Sequence, residues 1–183
     1  YIEEGQGKPL ILLHGNGEDH TYFVHQIRYF SRMYRVIAID TRGHGASPRG
    51  TAPFSIRQFA EDLLSFMDTH QLEQADILGF SDGGNIALTF ALHYPERVDR
   101  LILNGANLDS SGVKSSVQVP IILGYHMASL FSRVSVRARK NAELLRLMVE
   151  EPHIQLEELR KLSHRTLVIA GTRDMIREAH TRQ

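Results

Sequence analysis

Cysteine is absent from the 183 residues, which excludes a disulfide framework, a thiol nucleophile and thiolate metal sites while leaving the redox compartment open. An excess of either charge is lacking too. Lysine plus arginine and aspartate plus glutamate number 21 each, so no global field draws the chain to nucleic acid or to an anionic membrane. No apolar run approaches the roughly 20 residues needed to span a bilayer, and the first residues hold no basic stretch followed by an apolar core. Internal repeats and low-complexity segments are also missing. These absences predict a soluble, cytoplasmic protein whose partner is a small molecule, with neither nucleic acid nor membrane as a partner. Oligomeric state is not legible. What is present, 42% hydrophobic side chains, suits one domain with a substantial core.

Five short apolar runs alternate with helical patterns: Leu10–Leu13, Val36–Ile39, Ala75–Leu78, Leu101–Leu103 and Thr166–Ala170. Each run is continuous rather than alternating in polarity, as strands buried on both faces of a parallel sheet are. The expected fold is therefore α/β, a doubly wound and mostly parallel sheet with flanking helices. A capping-box signature, Ser55-x-x-Gln58, precedes an apolar stripe at Ile56, Phe59, Leu63, Phe66 and Met67 that should lie on the sheet. A second stripe, Ile86, Ala87, Phe90 and Ala91, ends at Pro95. Between Asn107 and Ser163 the alternation breaks. Apolar Ile121-Ile122-Leu123 leads into a long helical pattern through Val134, Ala138, Ala142, Leu145 and Val149, read as a helical insertion over the carboxyl end of the sheet. An ordinary crossover with extra packing helices reads equally well. The basic cluster Arg133, Arg137, Arg139 and Lys140 reads as a solvated face.

Chemistry concentrates at Gly79-Phe80-Ser81-Asp82-Gly83, between an apolar run and a small-residue helix. A G-x-S-x-G in that setting is a nucleophile elbow: a strained serine on a sharp turn, with glycines where side chains would collide. Leu10–Leu13 opens onto His14-Gly15-Asn16-Gly17, a turn able to aim a backbone N–H at a developing oxyanion. Asn16 is the candidate for one donor, and the first helical residue after the serine, Asp82, for the other. His14, set in that glycine turn, reads as structural.

The segment Asp40-x-Arg42-Gly43-His44-Gly45-x-Ser47, taken with His14-Gly15 and Gly79-Phe80-Ser81-Asp82-Gly83-Gly84 in this order, resembles the α/β-hydrolase family of the ester-hydrolase type. The run Tyr94-Pro95-Glu96-Arg97-Val98-Asp99-Arg100-Leu101-Ile102-Leu103 is also similar to the family's connection into its sixth strand. The resemblance covers nearly the whole chain and is weakest in the insertion. It implies an eight-stranded sheet in which the five runs are the third to seventh strands, with the first two upstream of Tyr1. Residues 1–183 would then form one domain incomplete at both ends, with 107–163 a helical cap inserted in it.

The resemblance further implies a triad in which Ser81 attacks, Asp174 orients a histidine, and that histidine takes the proton. Asp109 is an alternative acid. The family base falls roughly 25 to 30 residues past the acid, as one helix and one strand require, yet nine residues follow Asp174 and no histidine here matches it. His180 is a weak substitute. The expected activity of the full-length protein is serine hydrolysis of a carboxylic ester or related acyl bond, with no cofactor and no metal, while the chain as given lacks its base and is expected to be inactive. Carbon–carbon bond hydrolysis, cofactor-free peroxidation and a non-catalytic binding scaffold are the alternatives.

Overall fold

A computed structural model describes all residues, 1–183. In chain order the elements are β1 (Ile2–Glu4), β2 (Pro9–Leu13), α1 (Val24–Phe30), β3 (Arg35–Ile39), α2 (Ile56–Thr69), β4 (Ala75–Phe80), α3 (Asp82–His93) and β5 (Val98–Asn104). There follow α4 (Ser115–Phe131), α5 (Val136–Glu150), α6 (Leu156–Leu159), β6 (Arg165–Ile169) and α7 (Glu178–Thr181). The strands form one six-stranded sheet in the order β1-β3-β2-β4-β5-β6. Only β1 runs antiparallel to its neighbour. The chain moves outward from β2 to β3, then crosses to β4 on the other side, so the order reverses between β2 and β4. In open α/β sheets that point leaves a crevice at the carboxyl ends of the strands.

The apolar runs form strands because they can be covered. Ile11, Ile37, Ile77 and Leu101 are fully enclosed, and the main core they share with α2 and α3 takes in Phe59, Leu63, Met67, Ile86 and Phe90. On the opposite face α1 supplies Ile27, which packs with Phe23, Leu10, Leu12 and Val36 in a smaller cluster. Helix α2 starts where expected: Ser55 Oγ accepts from Gln58 N–H at 3.1 Å. The capping box is only half made, however. The Gln58 side chain reaches forward to Asp62 rather than back to Ser55.

Three expectations need correction. A sixth strand, β1, lies inside the chain rather than upstream of Tyr1, pairing Ile2 with Ala38 at the sheet edge. Its sequence, Ile-Glu-Glu, carries no apolar run, because an edge strand facing water needs none, and Arg35 pins Glu3 through Nε at 2.7 Å. The run at Thr166–Ala170 does form a strand, β6, but every residue of it is exposed, since no helix lies on it and no strand lies beyond it. Third, the long helical pattern of the insertion is two helices. Ser135 caps α5, accepting from Ala138 N–H at 3.2 Å, and Val134 falls in the connecting turn.

At the amino ends of the strands, Lys8 Nζ donates to Asp76 at 2.5 Å and also to Asp99. Asp76 is only 2% exposed, so its carboxylate depends on that ammonium. Lys8→Met is expected to destabilise the fold by about 3 kcal/mol in urea unfolding, the usual cost of orphaning a buried charge. A loss below about 1 kcal/mol would show that water already serves Asp76.

Candidate active site

Strand β4 ends at Phe80 and helix α3 begins at Asp82, which leaves a single residue, Ser81, to make the turn. Its backbone sits at φ 52°, ψ −120°, far from any ordinary well for a residue with a side chain. Two close approaches hold it there. A methyl built on Gly79 would stand 2.1 Å from the Gly83 carbonyl oxygen, and one built on Gly83 would stand 2.0 Å from that of Leu13. Both clashes are with backbone, so only glycine fits. The turn is closed by Ser81 N–H to Asn104 O at 2.8 Å and by Gly84 N–H to Ser81 O at 2.8 Å. The Ser81 hydroxyl makes no hydrogen bond within the chain and is not among its buried polar atoms, so it is open to solvent.

The approach of Gly83 to Leu13 brings the turn after β2 against the elbow. Asn16, half-buried there, donates from Nδ2 to Asp82 Oδ2 at 2.9 Å and to Leu144 O of α5 at 2.8 Å. The Asn16 N–H meets no acceptor within the chain. The Asp82 N–H opens helix α3, where no intrahelical acceptor exists. Asp174 is carried on the turn after β6. Its Oδ2 accepts from Gly171 N–H at 3.2 Å and its Oδ1 from Ile176 N–H at 3.0 Å. A methyl on Gly105, the residue after β5, would lie 3.6 Å from Asp174 Oδ2. Since Phe80, Asn104 and Ile169 pair in register at the ends of β4, β5 and β6, Ser81 and Asp174 stand on the same edge of the sheet, one strand apart. An open hollow of about 660 Å³ adjoins Asp174, bordered by Lys114, Val168 and Thr172.

No histidine hydrogen-bonds Ser81 or Asp174. His14 is buried, donating from Nδ1 to Gly15 O at 2.8 Å and accepting Thr41 N–H at Nε2, the structural role expected of it. Burial holds both His14 and His44 below the usual imidazole pKa. His44 lies against Phe54 with its Nε2 unpartnered. His180 accepts Leu108 N–H at Nε2 and packs on Gly112. Asp109, the alternative acid, accepts Ser111 N–H at 2.7 Å.

Missed by sequence reasoning is a polar chain behind the elbow. Asn85, 1% exposed on the mainly apolar α3, donates to Asp82 Oδ1 at 3.4 Å and to Asn107 Oδ1 at 3.1 Å, and accepts Asn107 N–H. An asparagine inside an apolar helical stripe is the signal that could have found it. Burial pushes the Asp82 carboxyl up to about 6, against the pull of Asn16 and Asn85, and the nearby Glu151 adds repulsion. Asp19, His20 and Asp40 place ligand atoms within 4.8 Å of one another. Their oxygens are already engaged: Asp40 accepts from Ala46 N–H, His20 N–H and His20 Nδ1, and Asp19 from Thr21. Although burial opposes it, these donors hold Asp40 at about 2.

A parallel sheet with a strained serine at the β4–α3 turn defines a nucleophile-elbow hydrolase scaffold. The chain belongs to the alpha/beta hydrolase fold family, which residues 8–125 match. It is 37% identical over 105 residues to 3-oxoadipate enol-lactonase 2 of Acinetobacter baylyi, covering 56% of this chain and 39% of that protein. It is 36% identical over 108 residues to 2-hydroxymuconate semialdehyde hydrolase of a Pseudomonas species, covering 57% and 38%. Among solved structures it resembles the meta-cleavage product hydrolase of Pseudomonas fluorescens IP01, with TM-score 0.76 and 27% identity over 98% of this chain and 78% of that one. The chain spans about 40% of the length of these curated relatives. No helix is long and apolar enough to cross a membrane.

Asp82 yields a pH test. Its folded pKa, about 6, lies above the ordinary 3.8, so the native state keeps a proton that the unfolded chain releases. Stability from this group is full below about pH 4 and is lost as pH rises through 6. Asp82→Asn removes the charge and keeps one acceptor oxygen, enough for the shorter bond from Asn16 but not for that from Asn85 as well. Its stability relative to the parent is expected to improve by about 2 kcal/mol between pH 4 and pH 7.5 in urea unfolding. An unchanged difference would refute the assignment.

Proposed function

We propose that this chain is the nucleophile-bearing part of a serine hydrolase acting on a carboxylic ester or a related acyl bond. The observation that carries the reading is the backbone of Ser81, held at positive φ over two glycines with its hydroxyl open to solvent. Strain of that kind persists only where the surroundings enforce it. In the proposed reaction Ser81 Oγ adds to the carbonyl carbon while a histidine accepts its proton. The N–H groups of Asn16 and Asp82 stabilise the resulting oxyanion. Collapse of the intermediate expels the alcohol, protonated by the same histidine, and leaves an acyl-enzyme that water then hydrolyses. Asp174 holds the histidine's tautomer and stabilises the imidazolium.

The base is proposed to come from outside these 183 residues. Two observations support this: His14, His44 and His180 each hold a structural hydrogen bond and none reaches Ser81 or Asp174, and both the faces of β6 and the hollow beside Asp174 lie open. On this reading residues 107–163 form a cap over the site, tied down through Asn16 to Leu144 O and through Arg49 to Glu143 at 2.7 Å. The cap's apolar side chains would meet an apolar acyl or aromatic group. Similarity to 2-hydroxymuconate semialdehyde hydrolase favours a second reading on the same residues, cleavage of a carbon–carbon bond next to a ketone. A cytoplasmic location is proposed with either.

Turnover of p-nitrophenyl acetate by the 183-residue chain is expected to fall at least about a thousandfold below that of a complete family member, and Ser81→Ala to remove the remainder. Turnover equal to the complete enzyme's would place the base within this chain. A residual rate indifferent to Ser81→Ala would point to a non-catalytic scaffold.

A further inference from the structure

Helix α4 is apolar on nearly every side yet enclosed on none. Its 17 residues include no charged side chain, and not one of them is buried. One side leans on α5: Gln118 Nε2 donates to Met148 O at 3.2 Å, Tyr125 Oη to Glu150 at 3.2 Å, and Gly124 packs against Leu145. On the opposite side Val119, Leu123, Met127, Leu130 and Val134 follow one another at spacings of four, four, three and four residues, all exposed. An exposed apolar stripe of this length belongs at an interface rather than in water.

The stripe ends at the turn between α4 and α5, where Leu130, Val134 and Val136 are 71%, 83% and 81% exposed and Phe131 stands beside them. Around this apolar tip lie Arg133, Arg137, Arg139 and Lys140, all exposed. None is in an ion pair, and the carboxylates of α5, Glu143 and Glu150, are engaged by Arg49 and Arg146. The chain as a whole has zero formal charge, so this is a local field of one sign next to an open apolar surface.

We infer that the tip of the α4–α5 hairpin docks on an anionic lipid surface, its aliphatic and phenyl side chains entering the acyl boundary and its four cations meeting the headgroups. The apolar stripe supplies area to bury and the cations supply preference for negative charge, the two requirements for lying in a bilayer interface. This needs no membrane-crossing helix. A second copy of the chain fits less well. A partner α4 offers no carboxylate to the cations in either orientation, and the residues flanking it, Lys114 and Arg133, are cations as well. Sequence reasoning expected a solvated basic face and no membrane; the basic face is solvated, and what periodicity did not reveal is that the apolar stripe beside it has nothing on it.

Cosedimentation with phosphatidylcholine vesicles, with and without 30 mol% phosphatidylserine, tests the inference without reference to catalysis. Binding to the anionic vesicles is expected to be at least about tenfold tighter and to weaken about tenfold as salt rises from about 50 to about 300 mM. Arg133→Glu with Arg137→Glu should abolish that preference. Leu130→Ser with Val134→Ser and Val136→Ser should lower binding about tenfold at constant charge. All five positions are exposed, and circular dichroism checks that each variant is folded. Equal binding to both vesicle types, or binding indifferent to either variant, would overturn the inference. So would sedimentation velocity showing a dimer that the serine variant dissolves, since the stripe would then be covered by a second copy.

Discussion

The carboxyl edge of the sheet depends on how closely helix α3 approaches the end of β2. Gly83 touches the Leu13 carbonyl with no room for a methyl group between them. That contact fixes two things together. It forces the chain to leave β4 and enter α3 through one residue, which puts Ser81 at positive φ. It lays the turn after β2 against the first turn of α3, where Asn16 Nδ2 reaches Asp82 Oδ2 at 2.9 Å. It also lies where the strand order reverses between β2 and β4, the place at which open α/β sheets receive ligands.

Behind the elbow the binding is polar. The chain Leu144 O, Asn16, Asp82, Asn85, Asn107 links α5, the turn after β2, the first turn of α3 and the loop after β5. Helix α5 is fastened at further points, by Arg146 to Phe54 O at 3.0 Å and by Glu151, which accepts Ile56 N–H at 2.6 Å. Each contact joins the helical segment to a loop at the carboxyl edge. Helix α4, by contrast, is held along its length by α5 and only at its first residue by another segment, where Arg177 Nη2 donates to Ser115 Oγ at 3.0 Å. The segment therefore has a fixed inner helix over the candidate site and an outer one whose apolar surface is free for another partner.

Much of this was legible in the residues. Continuous apolar runs marked five strands because parallel strands are covered on both faces, and the spacing in α2 marked its covered side, whereas α3 is buried all round from Gly83 to Ala91. The elbow was legible because its geometry tolerates so few side chains. What escaped did so for physical reasons. Strand β1 is an edge strand of Ile-Glu-Glu and carries no apolar pattern. Strand β6 has the composition of a buried strand but no cover, and a run of apolar residues records what a strand can pack against rather than what does. The Asn85–Asn107 link joins residues 22 apart, and pairing between polar side chains leaves no periodic trace. The break at Ser132–Ser135 was hidden because Val134, Ala138 and Ala142 keep helical spacing across it.

The close packing of Gly83 on Leu13 is tested most directly by the stability of Gly83→Ala in urea. The added methyl meets the backbone carbonyls of Leu13 and His14 at the carboxyl end of a central strand, so a loss of more than about 3 kcal/mol is predicted, despite the gain in helix propensity that alanine ordinarily brings. A variant within about 1 kcal/mol of the parent would mean that α3 stands off from β2, and would contradict the placement of the serine, the Asn16 turn and the acid on one edge.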